Sequence, residues 1–229
     1  MPVSRALQIA IDGPAGAGKS TVARKLADKL QYLYIDTGAM YRAATWLGLQ
    51  NNVALDDGPG LAKLVEASSI LLKPADATSD GKIRVFANQQ EITREIRTNK
   101  MSDMVAGVAA LKEVRQVLVD RQRELARDIC CVIDGRDIGT VVMPQAGLKI
   151  FLTASPEERA RRRLKELASQ GESADFDALL RAINERDYLD SHRTVSPLVQ
   201  AADAIEVITD NLSIDEVVAE LERLAQQAE

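Results

Sequence analysis

Along the chain, short uninterrupted apolar runs alternate with longer stretches in which apolar positions recur every three or four residues. The runs Leu7–Ile11, Tyr32–Ile35, Cys130–Ile133, Leu148–Leu152 and Ala204–Ile208 have the length of buried strands. The stretches Ser20–Leu30, Lys112–Arg127, Ser155–Ala168, Phe176–Asp190 and Ser213–Ala228 carry the helical period. Strands separated by helices need crossovers, which are right-handed and leave the strands parallel with both faces of the sheet covered. The pattern therefore predicts an α/β fold with a five-stranded parallel sheet flanked by helices.

Two segments break this rhythm. Between Ile70 and Ile92 the polar and apolar residues of Ile70–Lys73, Lys82–Phe86 and Asn88–Gln90 alternate around an Asp80-Gly81 turn, the mark of an antiparallel hairpin or a three-stranded flap. This reads as a small insert, approximately residues 64–97, within a single domain spanning 1–229. The second break, Gln170–Asp175, follows an arginine-rich helix and is the natural hinge of a lid over about 155–176.

Composition narrows the class. In 229 residues the 34 acidic side chains outnumber the 29 basic ones, a net charge of −5 that gives the whole surface no attraction for nucleic acid or an anionic membrane. Thirteen glycines and seven prolines are too few for a collagenous or low-complexity chain. The two cysteines, Cys130 and Cys131, are adjacent in an apolar run and suit a strand core rather than a disulfide or zinc site. A single histidine, His192, lies among charges and reads as solvated, which disfavours a Ser-His-Asp hydrolase. Met1–Arg5 runs straight into the first strand, and no apolar stretch approaches membrane-spanning length. The expectation is a soluble cytoplasmic protein.

The chemistry begins at Gly13-Pro14-Ala15-Gly16-Ala17-Gly18-Lys19-Ser20, with Thr21 following. It fits G-x-x-x-x-G-K-[ST] and lies between a strand and a helix, as a phosphate-binding loop must. Its backbone N–H groups would converge on phosphate oxygens, Lys19 would reach the terminal phosphates, and the Ser20 hydroxyl would ligate Mg²⁺. No Asn-Lys-x-Asp stretch for reading guanine occurs. Asp36-Thr37-Gly38 and Asp134-Gly135-Arg136-Asp137 each follow a strand, where open α/β sheets place ligands, although each is also ordinary turn chemistry. Arg42, Arg94, Arg97, Arg115, Arg136, Arg186 and Arg193 are scattered in sequence but suit a second phosphate site. Arg159, Arg162 and Arg163 share a helix face, which is either a lid closing on the triphosphate or a solvated row paired with Glu157, Glu158 and Glu166.

Together Ile11–Lys19, Asp36-Thr37-Gly38-Ala39-Met40-Tyr41-Arg42, Ile133–Val142, Lys149–Leu152 and Glu185-Arg186-Asp187 resemble bacterial cytidylate kinase in order and spacing. The P-loop is widely shared, but the Tyr-Arg after Asp-Thr-Gly and the Asp-Gly-Arg-Asp-x-Gly-Thr-Val-Val run are distinctive. The resemblance implies a nucleoside monophosphate kinase that moves the γ-phosphoryl group of ATP to CMP or dCMP with Mg²⁺. It implies an insert that binds the acceptor and a mobile lid. It further implies that Arg42, Arg136 and Arg186 clamp the acceptor phosphate and the transferring group, that Asp137 and Arg115 read cytosine, that Asp190 and Arg193 touch the ribose side, and that Asp36 and Thr37 line the acceptor site. Arg159 and Arg162 join the P-loop in holding ATP. Ala106 stands where the family commonly has a base-contacting serine, with Ser102 one turn earlier. The resemblance goes with small-molecule partners alone, without nucleic acid or membrane, and with a monomer. Alternative readings are a kinase of another small acceptor, such as UMP or shikimate, and a P-loop regulatory ATPase or RNA-binding module.

Overall fold

The computed structural model describes residues 6–76, 79, 81–169 and 171–228. These fall into two compact units, one made of the chain up to Tyr34 and from Asp128 onward, the other of Ile35–Arg127.

The first unit is built on β1 (Gln8–Asp12), β2 (Leu33–Asp36, whose last two residues belong to the second unit), β6 (Cys131–Gly135), β7 (Leu148–Thr153) and β8 (Ile205–Ile208). They form the expected five-stranded sheet in the order β2-β6-β1-β7-β8, parallel at β1–β6, β1–β7 and β7–β8. Central β6 is buried along its whole length and β8 lies at the edge, largely exposed, as expected for strands covered on two faces and on fewer. Helices α1 (Lys19–Leu30), α6 (Pro156–Ser169), α7 (Phe176–His192) and α8 (Ile214–Ala228) flank the sheet. Val22, Ala23 and Leu26 of α1 and Val217, Val218 and Leu221 of α8 bury their apolar stripes with Ile9, Ile11, Val132, Ile150 and Leu152.

The second unit holds α2 (Thr37–Gln50), α3 (Gly58–Ala67), α4 (Asn99–Ala110), α5 (Lys112–Leu125) and an antiparallel sheet β3-β4-β5 of Ile70–Lys73, Arg84–Ala87 and Gln90–Glu91. The three-stranded form of the insert is thus the one present. Its β4–β5 connection uses Asn88 and Gln89, both at positive φ, which matches the twist of a tight hairpin. Of the expected Asp80-Gly81 turn, Gly81 has φ +68°, and Asp80 lies outside the described residues, as does Gln170 at the start of the second break.

Sequence periodicity picks up neither α2, α3 nor α4. Helix α2 buries nine of its 14 residues, so it has no polar face to set a period. Asp36, Asp57 and Thr98 cap the three helices, each accepting a backbone N–H three residues on. Two other expectations need correction. The third apolar run becomes strand only from Cys131, leaving Cys130 half-buried just ahead of it. Asp134-Gly135 is not a turn but the end of β6, and Asp36-Thr37 is a helix start.

Candidate active site

In the first unit, β1 ends at Asp12 and the chain enters the glycine loop. Gly13, at φ +148°, lies so close to β7 that a Cβ would overlap the Leu152 carbonyl, so no other residue fits there. The loop turns through Pro14, Ala15, Gly16 and Ala17 to Gly18, the left-handed N-cap of α1. Lys19, Ser20 and Thr21 form the first turn of that helix, whose free N–H groups and dipole favour an anion. Lys19 is buried and donates to the Pro14 carbonyl at 2.7 Å. Burial, reinforced by the Arg136 charge, holds Lys19 well below the ordinary lysine range, while Asp134, Asp12 and Asp190 pull the other way.

Ser20 donates its hydroxyl proton to Asp134 Oδ2 at 2.9 Å, and Tyr34 donates to Oδ1 of the same carboxylate at 2.8 Å. The pairing of Ser20 with a carboxylate 114 residues away makes Asp134 a functional candidate that motif reading left out of the metal site. A hydroxyl and a carboxylate are hard oxygen donors suited to Mg²⁺, which takes one or two protein oxygens beside phosphate and water. Among the described residues no group of three or more His, Cys, Asp or Glu side chains could enclose a metal by itself.

Beyond Asp134 the chain presents Arg136 and Asp137. Arg136 Nε donates to Asp190 Oδ2 at 2.9 Å, and Arg193 Nη2 lies 3.8 Å from Asp137 Oδ1. Burial pushes the Asp190 carboxyl up, but Arg136, Arg186 and Arg193 outweigh it, and the group stays below its ordinary value. Three of the expected acceptor-site arginines therefore converge on one carboxylate. All come from α7 or its edge except Arg136, which follows β6.

Arg159 of α6 is 3% exposed and spends its donors locally. Nε donates to the Ala154 carbonyl, Nη1 to the Ala15 carbonyl of the P-loop at 3.0 Å, and Nη1 and Nη2 to the two oxygens of Asp187. Arg162 bonds Glu158 and both Thr209 oxygens, whereas Arg161 and Arg163 pair with Glu158 and Glu166 on the outer surface. The arginine row is thus divided: Arg159 and Arg162 bond backbone and partly buried side chains, while Arg161 and Arg163 pair with glutamates as a solvated row would. His192 is exposed and stacks on Tyr188 at 4.1 Å.

In the second unit, Asp36 Oδ1 accepts the Ala39 N–H at 2.7 Å while its Oδ2 lies 3.7 Å from Arg42 Nη2, and Thr37 is buried beside it. Arg115 on α5 is 4% exposed, bonds the Ala109 carbonyl at 3.3 Å and lies over the Tyr41 ring at 5.6 Å. Ala106 is on α4, one turn after Ser102, whose hydroxyl bonds the Thr98 carbonyl.

Known proteins point the same way as these residues. The crystal structure of an uncharacterized protein from Eubacterium ventriosum matches with TM-score 0.51 at 13% identity, covering 96% of this chain and 98% of that one, a likeness of fold alone. Cytidylate kinase of Exiguobacterium sp. strain AT1b is 50% identical over 225 residues, covering 98% of this chain and 99% of its own. That of Carboxydothermus hydrogenoformans is 52% identical over 215 residues, covering 94% and 95%. The family model described as Cytidylate kinase matches residues 9–227, and with a glycine loop, a Ser20–Asp134 pair and an arginine cluster all inside that span, the chain belongs to the cytidylate kinase family.

Proposed function

We propose that the chain transfers the γ-phosphoryl group of ATP to CMP or dCMP, giving ADP and CDP or dCDP. Family membership supplies the reaction class, and the observation that carries the local mechanism is Lys19, a buried cation seated in the P-loop beside Arg136. Phosphoryl transfer spreads charge over the equatorial oxygens, so catalysis is positioning plus charge stabilisation. Lys19 follows the β- and γ-phosphates, and Gly13 to Gly18, Ser20 and Thr21 hold them through backbone N–H groups and hydroxyls. Arg136, Arg186 and Arg42 act on the acceptor phosphate and the group in flight, where planar forks suit phosphoryl oxygens. Ser20 and Asp134 would hold Mg²⁺, which when bound would supply neutralisation of phosphate charge.

Asp137 accepts from the cytosine amine and Arg115 donates to the ring acceptors. Asp190 and Arg193 serve the ribose side, while Asp36 and Thr37 serve the acceptor. Arg159 supports the ATP site by holding the Ala15 carbonyl, and Arg162 joins it. Residues 64–97 act as the acceptor-binding insert and 155–176 as the lid, in a cytoplasmic monomer with small-molecule substrates, without nucleic acid or membrane partners. No helix among the described residues is long and apolar enough to cross a membrane. The test is an acceptor screen with every NMP and dNMP under saturating ATP. CMP and dCMP are the expected acceptors, and equal use of UMP, or ATP hydrolysis without any acceptor dependence, overturns the assignment.

A further inference from the structure

Asp12 is the last residue of β1, opposite Gly135 at the end of β6, and the phosphate loop begins one residue later. It is only 4% exposed, and both side-chain oxygens are committed to one short segment: Oδ1 accepts the Ile138 N–H and Oδ2 the Gly139 N–H, each at 2.7 Å. Those amides open a π-helical turn, Ile138–Val142, 126 and 127 residues away in sequence. Gly139 is fitted to the carboxylate, since a Cβ there would stand 3.3 Å from Asp12 Oδ2 and 3.1 Å from Lys149 Cδ.

The same turn closes on Asp137. The Asp137 carbonyl accepts from Val141 and Val142, and the Ile138 carbonyl accepts from Met143 at 2.7 Å. Asp137 itself has φ −143° and ψ 30°, neither strand nor helix, so no repeating structure sets its direction. Its backbone leads straight into the anchored turn, and its carboxylate has Arg193 Nη2 3.8 Å from Oδ1. Burial pushes the Asp12 carboxyl up to about 6 in spite of both N–H donors. Near neutral pH the fold thus keeps a costly buried anion, as side chains retained for function rather than stability do.

We propose that Asp12 is a positioning residue for acceptor choice: by pinning the Ile138–Val142 turn it orients Asp137, so the strand that launches the phosphate loop also fixes the base-reading carboxylate. This rests on the assignment of Asp137 to the cytosine amine. Asp12→Asn keeps one accepting oxygen but sets an N–H against a backbone N–H, so one of the two bonds is lost and the turn shifts. The ratio of kcat/KM for CMP over UMP should fall roughly tenfold, mainly through a higher KM for CMP, as small misplacements near a site do.

A double-mutant cycle separates positioning from general loosening. In an Asp137→Asn background, Asp12→Asn should leave the ratio where Asp137→Asn alone puts it. Gly139→Ala, which pushes on the carboxylate from the other side, should reproduce the Asp12→Asn phenotype and carries the test if Asp12→Asn does not fold. A ratio unchanged in both Asp12→Asn and Gly139→Ala, or effects that add fully to those of Asp137→Asn, overturns the proposal. An unchanged ratio in Asp137→Asn alone overturns instead the base-reading assignment beneath it.

Discussion

Two populations of ion pairs in the first unit share chemistry and bond length but not surroundings. Around the phosphate loop, Arg136–Asp190 is 2.9 Å long and Arg159–Asp187 2.5 Å, with Arg159 only 3% exposed. On the outer faces of α1 and α8, Lys25–Asp215 is 2.7 Å and Lys29–Glu222 2.6 Å, with Lys25 42% and Asp215 84% exposed. At 4 Å two unit charges attract by about 1 kcal/mol in water but about 4 kcal/mol at the effective dielectric of a protein site. Water and side-chain entropy therefore erase most of an outer pair, whereas a buried pair is costly to assemble and more costly to break. Helix α6 repeats the contrast within two turns: Arg159 is sealed against the Ala15 and Ala154 carbonyls, and Arg163 faces solvent with Glu166. Distance alone does not rank these interactions. Burial does.

The sharpest test of that ranking is Lys19→Ala. It removes a buried cation that the transition state needs and the resting fold does not, so kcat should fall by ~10³ or more while the thermal midpoint holds or rises. Single-turnover transfer by a folded variant checks it, and a loss under about tenfold would deny Lys19 a part in stabilising the transferring phosphoryl group.

Asp12 extends the comparison to a buried anion held by amides instead of a cation. Its folded pKa, pushed up to about 6 from 3.8, means that the native state binds a proton more tightly than the unfolded chain does. Stability from this group is fully present below about pH 4 and is lost as pH rises through about 6. The wild-type stability relative to Asp12→Asn should accordingly drop by about 2.5 kcal/mol between pH 4 and pH 7, measured by urea unfolding at a series of pH values. A flat difference would show that burial is not the dominant influence on Asp12.

Next in size comes Asp187→Ala, which leaves Arg159 charged and buried with only carbonyl acceptors. Breaking a buried pair costs about 3–5 kcal/mol, and since the Asp187 side chain is a quarter exposed the expected loss is about 2 kcal/mol. Denaturant midpoints measure this, and the KM for ATP should rise with it, because Arg159 also holds the Ala15 carbonyl. At the small end, Lys25→Ala should leave both the unfolding midpoint and turnover unchanged within measurement error, since its partner is open to solvent. A loss there as large as that of Asp187→Ala would collapse the distinction between the two populations.

Much of this molecule is local information. The five strand runs, the α1 and α5 to α8 periods and the glycine loop each lie within a dozen or so consecutive residues, where hydrophobic spacing and turn chemistry act directly. Of the three helices that escape this reading, α2 shows one physical reason: nine of its 14 residues are buried, so it lacks a polar face to set a period although Asp36 caps it. The site was legible only as a set of residue types. Lys19, Arg136, Asp137 and Arg159 stand out from their motifs and spacing, yet nothing in the local sequence says that Ser20 bonds Asp134, that Arg159 spends its donors on Asp187 and Ala15, or that Asp12 reaches Ile138 and Gly139. The run Ile138–Val142, with three β-branched residues after Gly139, forms a π-helical turn under that anchor. The chain by itself determined the sheet, its flanking helices and the phosphate loop, because those follow from patterns shorter than one element. Only the tertiary structure decided which charges are sealed and which are open, because burial depends on what other segments, often more than a hundred residues away, bring against each side chain.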